Sequence, residues 1–355
     1  MNLADFPHKR LNPLTGDWVL ISPHRTKRPW QERIEQGSSP AVPAYDTKCF
    51  LCPGNQRAGN ARNPHYETTF AFDNDLSALL PDIPVESMNE RNLLVARGER
   101  GLCRVICHSP RHDLSLPLLS TVEISSIVDA WANEFTDSCD NEFAKYVLIF
   151  ENRGDITGAG SSHPHSQAWS TETIPTVPAL ETARQREYAE RTGSCLLCDY
   201  VKLEVQMQSR LIVTNEHFAA VSPFWAVWPH EALVIPFGHY ADIASMPKTV
   251  REDFADILNK LTIRYDNLFS SPFPYSMGIH QRPTTRDDHS PWHCHAHFFS
   301  PVARSLSSRK LMAGYEVLAM PHRDTTPEDA ARRLRNCSEV HHTKRKPEDE
   351  LRNAE

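Results

Sequence analysis

Two stretches of this chain repeat one another closely enough to limit the folds open to it. Val105-Ile-Cys-His-Ser-Pro-Arg-His112 and Leu233-Val-Ile-Pro-Phe-Gly-His239 each carry an apolar strand pattern into proline and histidine. Each is followed within about ten residues by a helical pattern, Thr121 to Phe135 in the first case and Lys248 to Phe269 in the second. Each unit then closes on a short strand of alternating histidines, His163-Pro-His165 and His293-Cys-His295-Ala-His297. Further strands are predicted at Trp18–Ser22, Tyr146–Glu151, Leu211–Thr214, Ala232–Pro236 and His295–Phe299. The chain is therefore read as two related α+β units. A boundary is expected in the proline-rich link Ile174-Pro-Thr-Val-Pro178, giving units at 1–177 and 180–342 and a charged, disordered tail at 343–355.

The formal charge of −7 argues against a nucleic-acid coat, because backbone phosphates need a broad basic surface. No apolar run is long enough to span a bilayer, and the start has no basic stretch followed by an apolar one. A cytoplasmic protein without membrane or nucleic-acid partners is expected. The nine cysteines then point to reduced thiols or metal ligands more than to a disulfide framework, and the 18 histidines invite a test for metal or acid/base chemistry.

His163-Pro-His165-Ser-Gln167 carries the most chemical information. Alternation along a strand puts His163, His165 and Gln167 on one face, and Gly154, Gly158 and Gly160 supply a preceding loop whose backbone can approach a phosphate. An imidazole nitrogen at a phosphate is a competent nucleophile, and amide or hydroxyl donors beside it can stabilise the transferred group. A histidine pair on a polar strand edge would read the same way from sequence.

Cys49-Phe-Leu-Cys52 has the gap that lets two thiolates reach one zinc ion, with His112 and His163 as candidates for the other ligands. Cys195-Leu-Leu-Cys198 repeats the spacing but falls in a helix predicted over Arg184–Val205, where its leucines suit core packing; no further ligands are evident there. His295 and His297 share a strand face, which suits a transition-metal site with His280 and the carboxylate of Glu181. Arg25-Thr-Lys27-Arg28 can neutralise a diphosphate, or be a solvated loop.

Taken in order, these pieces resemble the galactose-1-phosphate uridylyltransferase family of the histidine-triad superfamily, from Phe6 to about His342. The resemblance is carried by Arg10-Leu-Asn-Pro-Leu-Thr-Gly-Asp-Trp18, Ser22-Pro-His-Arg-Thr-Lys-Arg-Pro-Trp30, Cys49-Phe-Leu-Cys52, Glu151-Asn-Arg-Gly154 and Arg264-Tyr-Asp-Asn-Leu-Phe269. Trp225-Ala-Val-Trp-Pro229, Phe273-Pro-Tyr-Ser-Met-Gly278 and Arg309-Lys-Leu-Met-Ala-Gly-Tyr-Glu316 add to it. It implies two histidine-triad-like units forming an antiparallel half-barrel sheet with flanking helices, in a homodimer with shared active sites. The implied reaction is ping-pong transfer of UMP from UDP-glucose to a hexose 1-phosphate through a uridylyl-histidine at His165. Gln167 is implied to hold the phosphoryl oxygens. Cys49, Cys52, His112 and His163 match a zinc site, and Glu181, His280, His295 and His297 match a second site of iron or zinc. Nucleotide contacts are implied for Arg25, Arg28, Phe50, Asn74, Asp75 and Asn152, and hexose contacts from the neighbouring subunit for Lys310, Tyr315 and Glu316.

Departures from the family pattern sit beside the chemistry. Where the family reads Gly-Cys-Ser-Asn-Pro-His-Pro-His-Gly-Gln, this chain has Gly158-Ala-Gly-Ser-Ser-His-Pro-His-Ser-Gln167. A serine able to bond the phosphoryl group has become Gly160, leaving Ser161, Ser162 or Ser166 to supply a hydroxyl. Gln281-Arg282 replaces a small Gly-Ala pair, and His322 stands where the family has a sugar-contacting glutamine. These changes leave open a non-galactose acceptor, or a nucleotide-sugar phosphorylase or hydrolase that uses the same nucleophile.

Overall fold

The computed structural model describes residues 5–27, 42–84, 86–302, 310 and 312–345. In chain order the first elements are β1 (His8–Leu11), β2 (Trp18–Ile21), β3 (Phe70–Asp73), β4 (Ser87–Glu90), β5 (Leu94–Arg97), β6 (Gly101–Cys107) and α1 (Thr121–Cys139). Then come β7 (Tyr146–Arg153), β8 (His165–Thr171), α2 (Thr176–Thr192), α3 (Leu196–Met207), β9 (Leu211–Thr214), β10 (Phe218–Val221) and β11 (Ala232–Pro236). The last are α4 (Lys248–Phe269), β12 (Tyr275–His280), β13 (His295–Phe299), α5 (Tyr315–Leu318), β14 (His322–Arg323) and α6 (Pro327–Arg335).

Among the described residues, nine strands make one sheet in the order β3-β6-β8-β7-β12-β13-β11-β10-β9. Every pairing within it is antiparallel. The order reads the same from the centre outward in both directions: β7, β8, β6, β3 on one side, and β12, β13, β11, β10 on the other. The duplication seen in sequence is thus a spatial one, and β7 paired with β12 is the seam. A separate small sheet joins β1, β2 and β14, and β4 pairs with β5 as a hairpin.

Register assigns the two faces of the large sheet. Phe150 lies opposite Gln167 and Gly278, and Gly278 lies opposite His297, so these positions share a face with His165 and His280. The other face carries Ile106, Ile149, Ala168, Met277, Ile279, Ala296 and Val234, all buried under α1 and α4. Helix α1 starts at the capping box of Ser120 and Glu123, and buries Ile124, Ile127, Val128, Trp131 and Phe135 at helical spacing. Helix α4 does the same with Val250, Phe254, Ile257, Leu258, Leu261 and Tyr265. On the histidine face, α3 and β2 cover the far end through Leu197, Val201, Leu233 and Ile21, which leaves the middle strands for polar side chains.

The helix predicted over Arg184–Val205 is broken. Gly193, with φ 71°, ends α2, and Cys195 caps the start of α3, so the second cysteine pair stands at a helix entrance. The proline-rich link at Ile174–Pro178 runs directly into α2. At the C-terminus His341 is buried against Asp266 at 3.1 Å, and His342–Lys344 form one helical turn; residues 346–355 lie outside the described residues. Asp266 also receives both Arg153 guanidinium nitrogens, at 2.6 and 2.8 Å, across the seam from β7. Arg10 of β1 and Arg210 share Glu328 of α6 at 2.9 and 2.8 Å, tying the small sheet to the body.

Glu151 lies on the core face of β7 with the Tyr275 hydroxyl donating to it at 3.2 Å. Burial pushes its carboxyl up to about 7, against the opposing pull of Arg153 and Tyr275. The folded state therefore holds a proton that the unfolded state loses near pH 4.5, so stability falls as pH rises from there to about 7 and then levels off. Glu151→Gln should remove that slope and gain on the order of 3 kcal/mol relative to the parent at pH 8, with little change at pH 4. Urea midpoints of both proteins across that range test this; parallel curves would refute it.

Candidate active site and metal centres

Pro164 precedes β8, and the strand begins at His165. His165 and Gln167 take the open face of the sheet, while Ser166 takes the core face. His165 Nδ1 lies 2.8 Å from the His163 carbonyl oxygen. A carbonyl only accepts, so Nδ1 carries the proton and the lone pair of the neutral ring is on Nε2. Burial lowers the His165 pKa, opposed by that backbone bond, which favours the neutral ring. Gln167 is oriented by the same logic: the Trp169 indole N–H donates to its Oε1 at 3.0 Å, so its amide N–H₂ end is available. Gly154 and Gly158 both have positive φ, and a Cβ at Gly158 or Gly160 would meet open space, so the loop before His163 leaves room for a ligand.

His163 does not extend the strand. Its ring, fully buried, turns into the cluster of Cys49, Cys52 and His112, whose four ligand atoms lie within 4.8 Å of one another. His112 Nδ1 and His163 Nδ1 each stand 3.5 Å from Cys52 Sγ. His163 Nε2 donates to the Ser109 carbonyl at 2.9 Å, which leaves Nδ1 as the ligating nitrogen. His112 Nε2 pairs with the Ser162 hydroxyl at 2.8 Å. For a tetrahedral zinc with ordinary bond lengths, S···N separations come to about 3.5 Å, so this donor set fits zinc.

Glu181 of α2 reaches the open face among His280, His295 and His297. Its carboxylate lies 2.9 Å from His280 Nδ1 and 3.5 Å from the Nε2 atoms of His295 and His297. Burial alone would raise its pKa, but the surrounding imidazoles hold the carboxyl well below the usual range. One buried anion with three imidazoles suits a divalent transition metal.

A further group went unread in the sequence. Cys195 and Cys198, freed from a helix interior, meet His239 and His293, again with ligand atoms within 4.8 Å. The signal was present: the two repeated stretches end on His112 and His239, and the two alternating segments begin on His163 and His293.

The other residues singled out from sequence fall into two groups. Asn152 is on the open face of β7, accepting from Ser276 at 2.7 Å; Phe50 is exposed beside the Cys49 cluster, and Asp75 pairs with Arg57 at 3.4 Å. Asn74 caps the following turn through Leu76 N–H. Arg25, His322, Lys310 and Glu316 instead gather around the small sheet. Asp324 binds Arg25 at 2.8 Å and His322 at 3.4 Å, while Lys310 pairs with Glu316 at 2.7 Å and donates to the His322 carbonyl. Tyr315 is exposed beside them, and Arg28 lies outside the described residues. Ser166 is the correction: buried on the core face, its hydroxyl accepts from the Trp131 indole at 2.7 Å, so it is not a donor beside His165. Ser161 and Ser162 are on the side of the Cys49 cluster.

Comparison with known proteins gives a concordant result. The profile described as Galactose-1-phosphate uridyl transferase, N-terminal domain, matches residues 1–175, and its C-terminal counterpart matches residues 181–346. The galactose-1-phosphate uridylyltransferase of Haemophilus influenzae is 44% identical, over 96% of this chain and 97% of its own length. That of Saccharomyces cerevisiae is 44% identical, over 97% of this chain and 98% of its own. Among solved structures, a uridylyltransferase 28% identical in sequence aligns with a TM-score of 0.74, over 95% of this chain and 99% of its own. An ADP-glucose phosphorylase from Arabidopsis thaliana, 24% identical, aligns with a TM-score of 0.72 over 94% of this chain and 99% of its own, a likeness of fold.

The two faces of β8 separate structure from chemistry. Ser166→Ala should strand the buried Trp131 N–H and cost about 1–3 kcal/mol of stability, yet leave ligand chemistry at His165 intact. Gln167→Ala should do the reverse. Denaturant midpoints and turnover of the two variants decide this, and loss of turnover by a stably folded Ser166→Ala would restore the hydroxyl to the site.

Proposed function

The chain belongs to the galactose-1-phosphate uridyl transferase family, and from that premise we propose that it moves UMP from UDP-glucose to galactose 1-phosphate through His165. The observation that carries the reading is the neutral-ring Nε2 of His165, held on the open face beside the free amide end of Gln167. Nε2 attacks the α-phosphorus of UDP-glucose, the bond to the bridging oxygen breaks, and glucose 1-phosphate leaves. A phosphate oxygen of galactose 1-phosphate then attacks the same phosphorus, the P–N bond breaks, and UDP-galactose departs with His165 restored. Dividing the exchange in this way lets one nucleotide site serve both sugar phosphates. The Gln167 N–H₂ steadies the phosphoryl oxygens as their charge grows, and the open loop at Gly158 and Gly160 admits them.

Cys49, Cys52, His112 and His163 would hold zinc, and Glu181, His280, His295 and His297 would hold iron or zinc. Bound there, each metal would cross-link elements of the fold and fix the rings that flank the site. His163 then presents its carbonyl to His165 from a fixed position. Arg25, Arg28, Phe50, Asn74, Asp75 and Asn152 are assigned to the nucleotide. Lys310, Tyr315, Glu316 and His322 are assigned to the hexose phosphate of a neighbouring subunit in a cytoplasmic homodimer, which fits their gathering on the small sheet rather than beside β8. Residues 1–177 and 180–342 are taken as the two units. The phosphorylase or hydrolase alternative is not favoured, because the near-full-length relatives at 40% identity or more are named as uridylyltransferases.

UDP-glucose alone should release one equivalent of glucose 1-phosphate per active site and leave UMP on the protein, seen by intact mass; His165→Ala should form no adduct. Absence of the adduct in the parent, or its persistence in His165→Ala, would overturn the mechanism. His322→Gln should keep adduct formation and change only the relative rates at which different hexose 1-phosphates discharge it. Faster discharge by inorganic phosphate than by every hexose phosphate would replace the transferase with a phosphorylase.

A further inference from the structure

The pairing of Cys195 and Cys198 with His239 and His293 reproduces the geometry of the Cys49 cluster piece by piece. The two imidazoles of each cluster have ring centroids 5.3 Å apart and nearly perpendicular planes, 80° for His112 and His163 and 89° for His239 and His293. His293 Nδ1 lies 3.3 Å from both sulfurs, and His239 Nδ1 lies 3.6 Å from Cys198 Sγ. These bracket the S···N separation of about 3.5 Å that tetrahedral zinc imposes.

Both rings are also fixed in the ligating tautomer. His293 Nε2 reaches the Pro236 carbonyl at 3.1 Å, and His239 Nε2 reaches the Ser290 carbonyl at 2.9 Å. Carbonyls accept only, so each Nε2 bears the proton and each Nδ1 lone pair is directed toward sulfur. In the first cluster Ser109, three residues before His112, serves His163; in the second Pro236, three residues before His239, serves His293. The backbone bond that follows is repeated too, His165 Nδ1 to the His163 carbonyl and His295 Nδ1 to the His293 carbonyl, both 2.8 Å. The donors come from three separate places: the start of α3, the loop after β11 and the entry to β13.

We infer that Cys195, Cys198, His239 and His293 form a further metal site of the zinc class, a staple of the C-terminal half separate from the Glu181 site. Binding displaces the two thiol protons and leaves the cation in a two-sulfur, two-nitrogen shell with no open position for a substrate, so its role is structural. It shares β13 with its neighbour: His293 turns to the cysteines, while His295 and His297 turn to Glu181. This assignment stands whether or not His165 is the nucleophile, since no step of the transfer passes through it.

Three measurements on the full-length protein test it. Elemental analysis should find one metal equivalent fewer per chain in the C195S/C198S double variant than in the parent. Chelator-stripped protein refilled with Co²⁺ should show thiolate charge-transfer absorption that falls by about half in that variant, and by about half in C49S/C52S. In the parent, peptide mapping after iodoacetamide should show Cys195 and Cys198 alkylated more than about tenfold faster once a chelator has removed the metal. That last readout needs no variant to fold. Equal metal content in the parent and a folded C195S/C198S, alkylation indifferent to chelator, or a Cys195–Cys198 disulfide in the protein as purified would each overturn the site.

Discussion

Much of this molecule depends on one backbone contact: the Nδ1 atom of a strand histidine bonded to the carbonyl of the histidine two residues before it. The contact costs nothing in side-chain chemistry, yet it decides which ring nitrogen is available. The preceding histidine must itself be immobile for this to work, and in both halves its ring is fully buried against a cysteine pair with its far nitrogen on a backbone carbonyl. A rigid ring thus supplies a rigid acceptor, and the acceptor fixes the next ring. What happens at the other ring nitrogen is set by the neighbours. Beside His165 stands Gln167, a neutral amide; beside His295 stand His297 and the carboxylate of Glu181. One duplicated device therefore sets a ring nitrogen beside a neutral amide in one half and beside an imidazole and a carboxylate in the other.

The sheet makes this division possible. Pairing β7 with β12 continues the backbone hydrogen bonding across the seam, so both histidine segments lie on one face of one sheet. Helices α1 and α4 occupy the opposite face with large apolar side chains. Burial of that face supplies the main driving force for folding, and it leaves the open face free to carry polar groups that would be costly in a core. Alternation then enforces the sorting residue by residue: Gln167 out, Ser166 in, held to Trp131.

How far this was legible in sequence depended on whether a feature was local. Helices α1 and α4 followed from apolar spacing; the strands around Ala232–Pro236 and His295–Phe299 followed from composition and flanking turns. The Cys49 and Glu181 groupings followed from cysteine spacing and strand alternation, were matched by the resemblance, and are brought together by the fold. Ser166 was misplaced although the period-two rule that put His165 and Gln167 on one face already put it on the other. Cys195 and Cys198 were misplaced because the leucines between and around them fit a continuous helical pattern. The break depends on Gly193 adopting positive φ, a backbone choice that the pattern of apolar residues does not register. The partners His239 and His293 lie 41 and 98 residues from their cysteines, so only the fold could join them.

Two buried glutamates show how the same residue type is set to opposite uses by its face. Glu151 sits under the sheet among apolar side chains, where desolvation outweighs Arg153 and Tyr275 and favours the protonated acid. Glu181 is as deeply buried but faces three imidazoles, and their attraction outweighs desolvation and favours the anion. An acid that keeps its proton can only stabilise the fold locally, through a hydrogen bond such as that with Tyr275. A carboxylate that has lost its proton inside the protein is a negative charge that its surroundings must answer. The convergence of His280, His295 and His297 on that carboxylate supplies the ligand set that the proposed metal would use.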